Sequence, residues 1–124
     1  MKKRILFIIS SDPRASPRAA EAVRIAAGIG AWDKVEPAVY LRGPAMLLLG
    51  EDAEEYPDGE NYRLYLPVLA ERGWPIYVQR GPASTKPGEA PAPEALVEAR
   101  PTVIAIDDAQ LAALAAASQC VVRF

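Results

Sequence analysis

The chain reads as one three-layer α/β domain, an open and mostly parallel sheet of about five strands with helices on both faces. Short runs rich in Ile, Val and Leu alternate with capped, alanine-rich helical stretches, so the strands are joined by crossovers and must lie largely parallel. The 124 residues (1–124) suffice for a single core and not for two, and no linker divides them. With 14 basic and 16 acidic side chains, 51% hydrophobic and 24% charged residues, the composition is that of an ordinary folded domain and offers no positive field for nucleic acid.

Ile5 to Ile9 is an unbroken apolar run between Lys2-Lys3-Arg4 and Ser10-Ser11-Asp12-Pro13. Such a run suits a central strand covered on both faces. It is too short for a membrane span or for the apolar region of a signal peptide, so a cytoplasmic protein is expected. Ser16 then caps a helix with Pro17 at its first position, where a missing N–H costs nothing, running to about Gly28 or Ala31. Its narrow apolar side of Ala19 or Ala20, Val23, Ala26 and Ala27 predicts close packing on the sheet, with Arg18, Glu21 and Arg24 facing water. Val35 to Leu41 is the second strand. Pro37 lacks an N–H for the ladder, which predicts an edge position or a start after the proline. Gly43-Pro44 opens a short helical turn through Leu49, and the acidic stretch Glu51 to Glu60, with Pro57 and Asp58-Gly59, reads as a surface loop.

Asn61 is placed to cap a helix over Tyr62 to Arg72 that stops at Gly73, with Pro67 expected to kink it or delay its start. Pro75 to Gln79 forms the next strand, followed by a Gly-, Pro- and Ser-rich loop from Arg80 to Pro91. Ala92 to Ala99 is a short helix and Thr102 to Ile106 a buried strand. Asp107 or Asp108 caps an alanine-rich helix ending near Ser118, and Cys120 to Phe124 is the last strand.

A parallel sheet gathers the loops that follow its strands along one edge, and ligands bind there. That directs attention to residues 10–16, 42–44, 79–86 and 107–108. Ser10, Ser11, Arg14 and Ser16, with backbone N–H groups and a helix N-terminus, form a candidate cradle for phosphate or sulfate. Plain turn and cap chemistry uses the same residues, Asp12 opposes an anion, and the glycines and lysine of a P-loop are missing. Gln79, Arg80, Ser84, Thr85 and Lys86 are the second candidate: Arg80 offers a bidentate clamp and Lys86 a second positive charge, although a solvated connection has the same composition. Gly28-Ile29-Gly30 ends a helix instead of opening one and has Asp33 at the third glycine position, which argues against a dinucleotide fingerprint. The acidic stretch lacks the ligand spacing of a calcium loop.

With no His and one Cys, the sequence excludes imidazole triads, internal disulfides and Cys/His metal sites. No catalytic residue, metal or cofactor is expected. Cys120 opens the last strand, at the opposite end of the sheet from the candidate loops, and reads as a small buried hydrophobe. Tyr62 and Tyr65, one helical turn apart, join Trp74 as a candidate subunit contact.

Lys3-Arg4-Ile5-Leu6-Phe7-Ile8-Ile9, the alanine-rich first helix, Val39-Tyr40-Leu41 leading into Leu47-Leu48-Leu49, Glu71-Arg72-Gly73 before Ile76-Tyr77-Val78, and the last Ala-rich helix with Val121-Val122-Arg123-Phe124 carry a likeness spread over nearly the whole chain. In these features the sequence resembles the DsrE/DsrF-like family of small sulfur-relay proteins. The resemblance implies a flavodoxin-like fold, an oligomer and, in active members, a sulfur-carrying cysteine in the loop after the strand matching Ile76 to Val78. Gln79 stands at about that position and no cysteine follows in residues 80–91. An amide cannot attack a sulfur donor or hold a persulfide. The expected function is therefore a non-relaying assembly or small-anion-binding subunit. It would be a homo-oligomer whose further partner is a small anion or a sulfur-pathway protein, with no nucleic acid and no membrane. Two alternatives stand beside it: a sulfurtransferase using Cys120 within an oligomer, and a nucleotide-binding or response-regulator-like module, which the missing phosphate motifs oppose.

Overall fold

The computed structural model describes residues 3–32, 34–79 and 102–124. Strands β1 (Lys3–Ile9), β2 (Val35–Leu41), β3 (Ile76–Gln79), β4 (Val103–Ile106) and β5 (Cys120–Arg123) form one sheet in the order β4-β3-β2-β1-β5. Every pairing among them is parallel. The apolar run of β1 is interior, flanked by β2 and β5, as its lack of any polar face requires.

The strand period divides the core. Phe7, Ile9, Val39, Leu41, Ile76 and Val78 point to one side, where the helices α1 (Arg18–Gly30) and α2 (Glu60–Glu71) and the 3-10 helix Gly43–Leu49 cover them. Leu6, Ile8, Ala38, Tyr40 and Ile106 point to the other, against Leu111, Leu114 and Ala115 of α3 (Asp108–Ala116). Helices on both faces of the sheet make the three layers expected. The alanines at 19, 20, 22, 26 and 27 are all buried, and this small-residue face seats α1 close to the sheet.

Two expectations about proline are corrected. β2 is interior and not at an edge, even though it contains Pro37. Its even-numbered residues serve β1, since Lys3 N–H donates to Lys34 C=O and Arg42 N–H to Ile9 C=O. Pro37 therefore turns its nitrogen toward the β3 side, where paired register begins only at Val39 opposite Ile76, and no ladder bond is lost. Pro67 neither splits nor delays α2, which runs unbroken from Glu60 to Glu71. Leu66 and Leu69, buried on either side of it, anchor the helix in the core and outweigh the missing N–H at the proline.

The termini of the helices show smaller differences. Ser16 is not the cap residue of α1, which begins at Arg18 with Pro17 in the cap position and no side-chain cap bond; Ser16 Oγ accepts the Arg18 N–H (3.2 Å) from one residue further out. Asn61 does not cap α2; its side-chain amide donates to Ala20 C=O (3.3 Å) and ties α2 to α1, while Gly59 holds the cap position. Gly73, at φ +76°, closes α2 in the left-handed conformation as expected. Part of the acidic stretch is a second 3-10 helix, Glu51–Glu55, instead of an irregular loop. Asp107 forms a full capping box with Gln110 at the start of α3. The loop expected over residues 80–91 and the helix over 92–99 lie outside the described residues.

Candidate functional site

The carboxyl ends of the parallel strands bring the described residues of all four candidate segments, 10–16, 42–44, 79 and 107–108, to one edge of the sheet. Of these, the loop after β1 is the most closed. The Ser10 hydroxyl faces Phe124 C=O (3.5 Å), and Pro13 is fully buried beneath the turn. Asp12 C=O accepts the N–H groups of Ala15 and Ser16 (both 3.1 Å). Arg14 is bidentate on the Asp12 carboxylate, Nε to Oδ1 at 3.0 Å and Nη2 to Oδ2 at 2.8 Å, and its backbone N–H also reaches Oδ1. These bonds hold the Asp12 carboxyl below its ordinary range and the Arg14 guanidinium above its own. The geometry fits turn and cap chemistry: the one cation of the loop is spent on its own acid. Ser11 differs, because its hydroxyl is buried with no hydrogen-bond partner among the described residues.

β2 and β3 end side by side, Leu41 opposite Val78. Gly43 takes φ +58°, open to a residue without a Cβ, and its N–H donates to Gln79 Oε1 (3.1 Å) across the two strands. Gln79 is thus held by the backbone of the neighbouring loop. Arg80, Ser84, Thr85 and Lys86 lie outside the described residues. On the α3 face, Tyr40 is fully buried with its hydroxyl unpartnered among the described residues, and the Arg42 guanidinium sits over its ring, 6.0 Å from the centroid. Burial pushes the Tyr40 phenol above its ordinary pKa, Arg42 works against that shift and Asp108 adds to it. Arg42 and Asp108 fall in segments marked by topology, but Tyr40 was read only as part of an apolar strand. An aromatic residue in such a strand carries no sequence signal that its hydroxyl will lack a partner.

The proposed contact residues divide. Tyr62 is only 2% exposed, in the core of its own chain, and is thereby withdrawn from any partner. Tyr65 is half-buried against the same core. Trp74 is also half-buried there, its ring under Arg72 (5.7 Å) and filling the space that a side chain on Gly30 would need.

Cys120 does begin β5, opposite Ile5, but it is exposed and not the buried hydrophobe expected. It lies on an edge strand, which leaves one flank of the residue uncovered. At a strand rise of about 3.3 Å per residue, the step from Ile5 to Ile9 separates it from the candidate loops by roughly 13 Å. Among the described residues no group of three or more acidic or cysteine side chains is placed to hold a metal ion, and no helix is long and apolar enough to cross a membrane.

No family model and no curated protein matches the chain in sequence. In structure it is similar to the ychN protein of E. coli, at 17% identity and a TM-score of 0.70, with all of both chains covered. That likeness shows the fold: a three-layer α/β domain on a parallel five-stranded sheet.

Proposed function

We propose that this chain is a DsrE/DsrF-like subunit without sulfur relay, serving assembly or the binding of a small anion instead of group transfer. The observation that carries the reading is Gln79. At the end of β3, where the resemblance calls for a nucleophilic cysteine, an amide is tied to the Gly43 N–H of the next loop. A carboxamide has neither a thiolate to attack a donor nor a sulfur to carry one. The only cysteine of the sequence stands at the opposite end of the sheet. Full-length similarity of fold to the ychN protein supports the family assignment.

The test is sulfur loading. Reduced protein is incubated with a persulfide donor, freed of it and read by intact mass and by an acceptor assay, with Cys120→Ser alongside. The expected result is no transferable sulfur in either protein. Sulfur that loads the wild type in stoichiometric amount, moves to an acceptor and is lost in Cys120→Ser would establish the relay and end this reading.

A further inference from the structure

Tyr40 is 0% exposed, and its hydroxyl has no partner among the described residues. Buried polar groups are nearly always satisfied, so an orphan beside a ligand-binding edge asks for an acceptor from outside. By strand alternation and register, two more donors stand on the same side of the sheet at the ends of β2 and β3. Arg42 lies over the Tyr40 ring and forms no ion pair with any described residue. Gln79 has its amide oxygen on the Gly43 N–H; since that N–H can bond only an oxygen, the amide NH2 is the end left to donate.

We propose that Tyr40, Arg42 and Gln79 form a binding site for a small tetrahedral oxyanion, phosphate or sulfate, at the carboxyl ends of β2 and β3. The inference rests on the anion-binding half of the function proposed above and moves the ligand away from the β1 loop, where Asp12 neutralises Arg14. Each of the three groups donates. Arg42 supplies the positive charge, the Gln79 amide is oriented in advance by Gly43, and the Tyr40 phenol keeps its proton because burial disfavours the phenolate. Asp108, at the start of α3, is the opposing charge that Tyr40 senses, and it keeps the affinity modest.

The full chain is titrated with inorganic phosphate and, separately, with sulfate, at constant ionic strength set with chloride, following backbone amide shifts by NMR. The two arms tell which oxyanion is taken. Saturable shifts at Gly43 and Gln79 are expected. Arg42→Gln and Tyr40→Phe should each weaken binding about tenfold, Asp108→Asn should tighten it, and Ser11→Ala and Arg14→Ala should leave it unchanged. Tyr40→Phe keeps the ring and so keeps the fold. Absence of saturable binding in the wild type, or equal binding in Arg42→Gln and Tyr40→Phe, overturns the site. Binding that depends on Ser11 or Arg14 also overturns it while sparing anion binding by the chain. Sulfur loading of Cys120 bears only on the relay question.

Discussion

Replacing Tyr62 by Phe removes one oxygen atom from the core, and the consequences depend on pH in a way that can be worked out. The residue is 2% exposed and its hydroxyl has no partner among the described residues. An unsatisfied buried hydroxyl costs about 1 kcal/mol or more, so Tyr62→Phe should be the more stable protein near neutrality by about 1 kcal/mol. Burial also pushes the phenol up to about 12 from an ordinary 10.0, with the Asp58 charge and Tyr56 acting in the same direction. The folded pKa is raised, so the protonated form is the one the fold prefers. Below pH 10.0 both states are protonated and nothing is lost. Between pH 10.0 and about 12 the unfolded chain ionises at Tyr62 while the folded chain does not, and stability falls as pH rises. At about 1.4 kcal/mol per pKa unit, the loss reaches about 3 kcal/mol at the top of that window. Urea unfolding of both proteins from neutral to strongly alkaline pH measures it. Every other ionisable group is common to the two proteins and cancels in the difference. The gap between variant and wild type should widen from about 1 to about 4 kcal/mol. Two curves that stay parallel across the window would refute the burial argument.

Three further outcomes follow from local geometry. Gly30→Val drives a side chain into the Trp74 ring and Pro37 and should cost about 1–3 kcal/mol in denaturant unfolding, with a shift in tryptophan fluorescence. Asp107→Ala removes the side-chain acceptor of the capping box at α3 and should cost about 1 kcal/mol, with faster hydrogen exchange confined to that helix. Gln79→Ala frees the Gly43 N–H, whose exchange should accelerate while amides in β1 stay protected.

Most of the architecture was legible because it rests on periodicity. Ile5 to Ile9 has no polar face, so an interior position was the only reasonable one, and the alanine side of α1 could only meet a sheet closely. The prolines misled because their cost depends on partners that sequence does not show. Pro37 is harmless on a flank where β3 has not yet begun, and Pro67 is carried by Leu66 and Leu69. Site residues were legible where topology alone places them, as at Ser10, Arg42 and Gln79. What escaped was pairing: that Arg14 folds back on Asp12, that Tyr62 turns inward and that the Tyr40 hydroxyl is left alone. Cys120 was placed correctly along the sheet, but its exposure follows from β5 being an edge strand, which the sequence does not mark.

The pairing of β5 with β1 has a consequence for how the chain is made. β2 and β3 add to one flank of β1 in the order of synthesis, but the other flank waits for residues 120–123. Ser10 and Phe124, whose backbone bond extends that pairing, are 114 positions apart. Until the last strand emerges from the ribosome, the most apolar strand of the protein keeps an open row of N–H and C=O groups, a template for any other extended segment nearby. Folding that ends on so distant a contact is slow, and nascent chains halted before residue 120 should be the species that chaperones bind and that aggregates recruit.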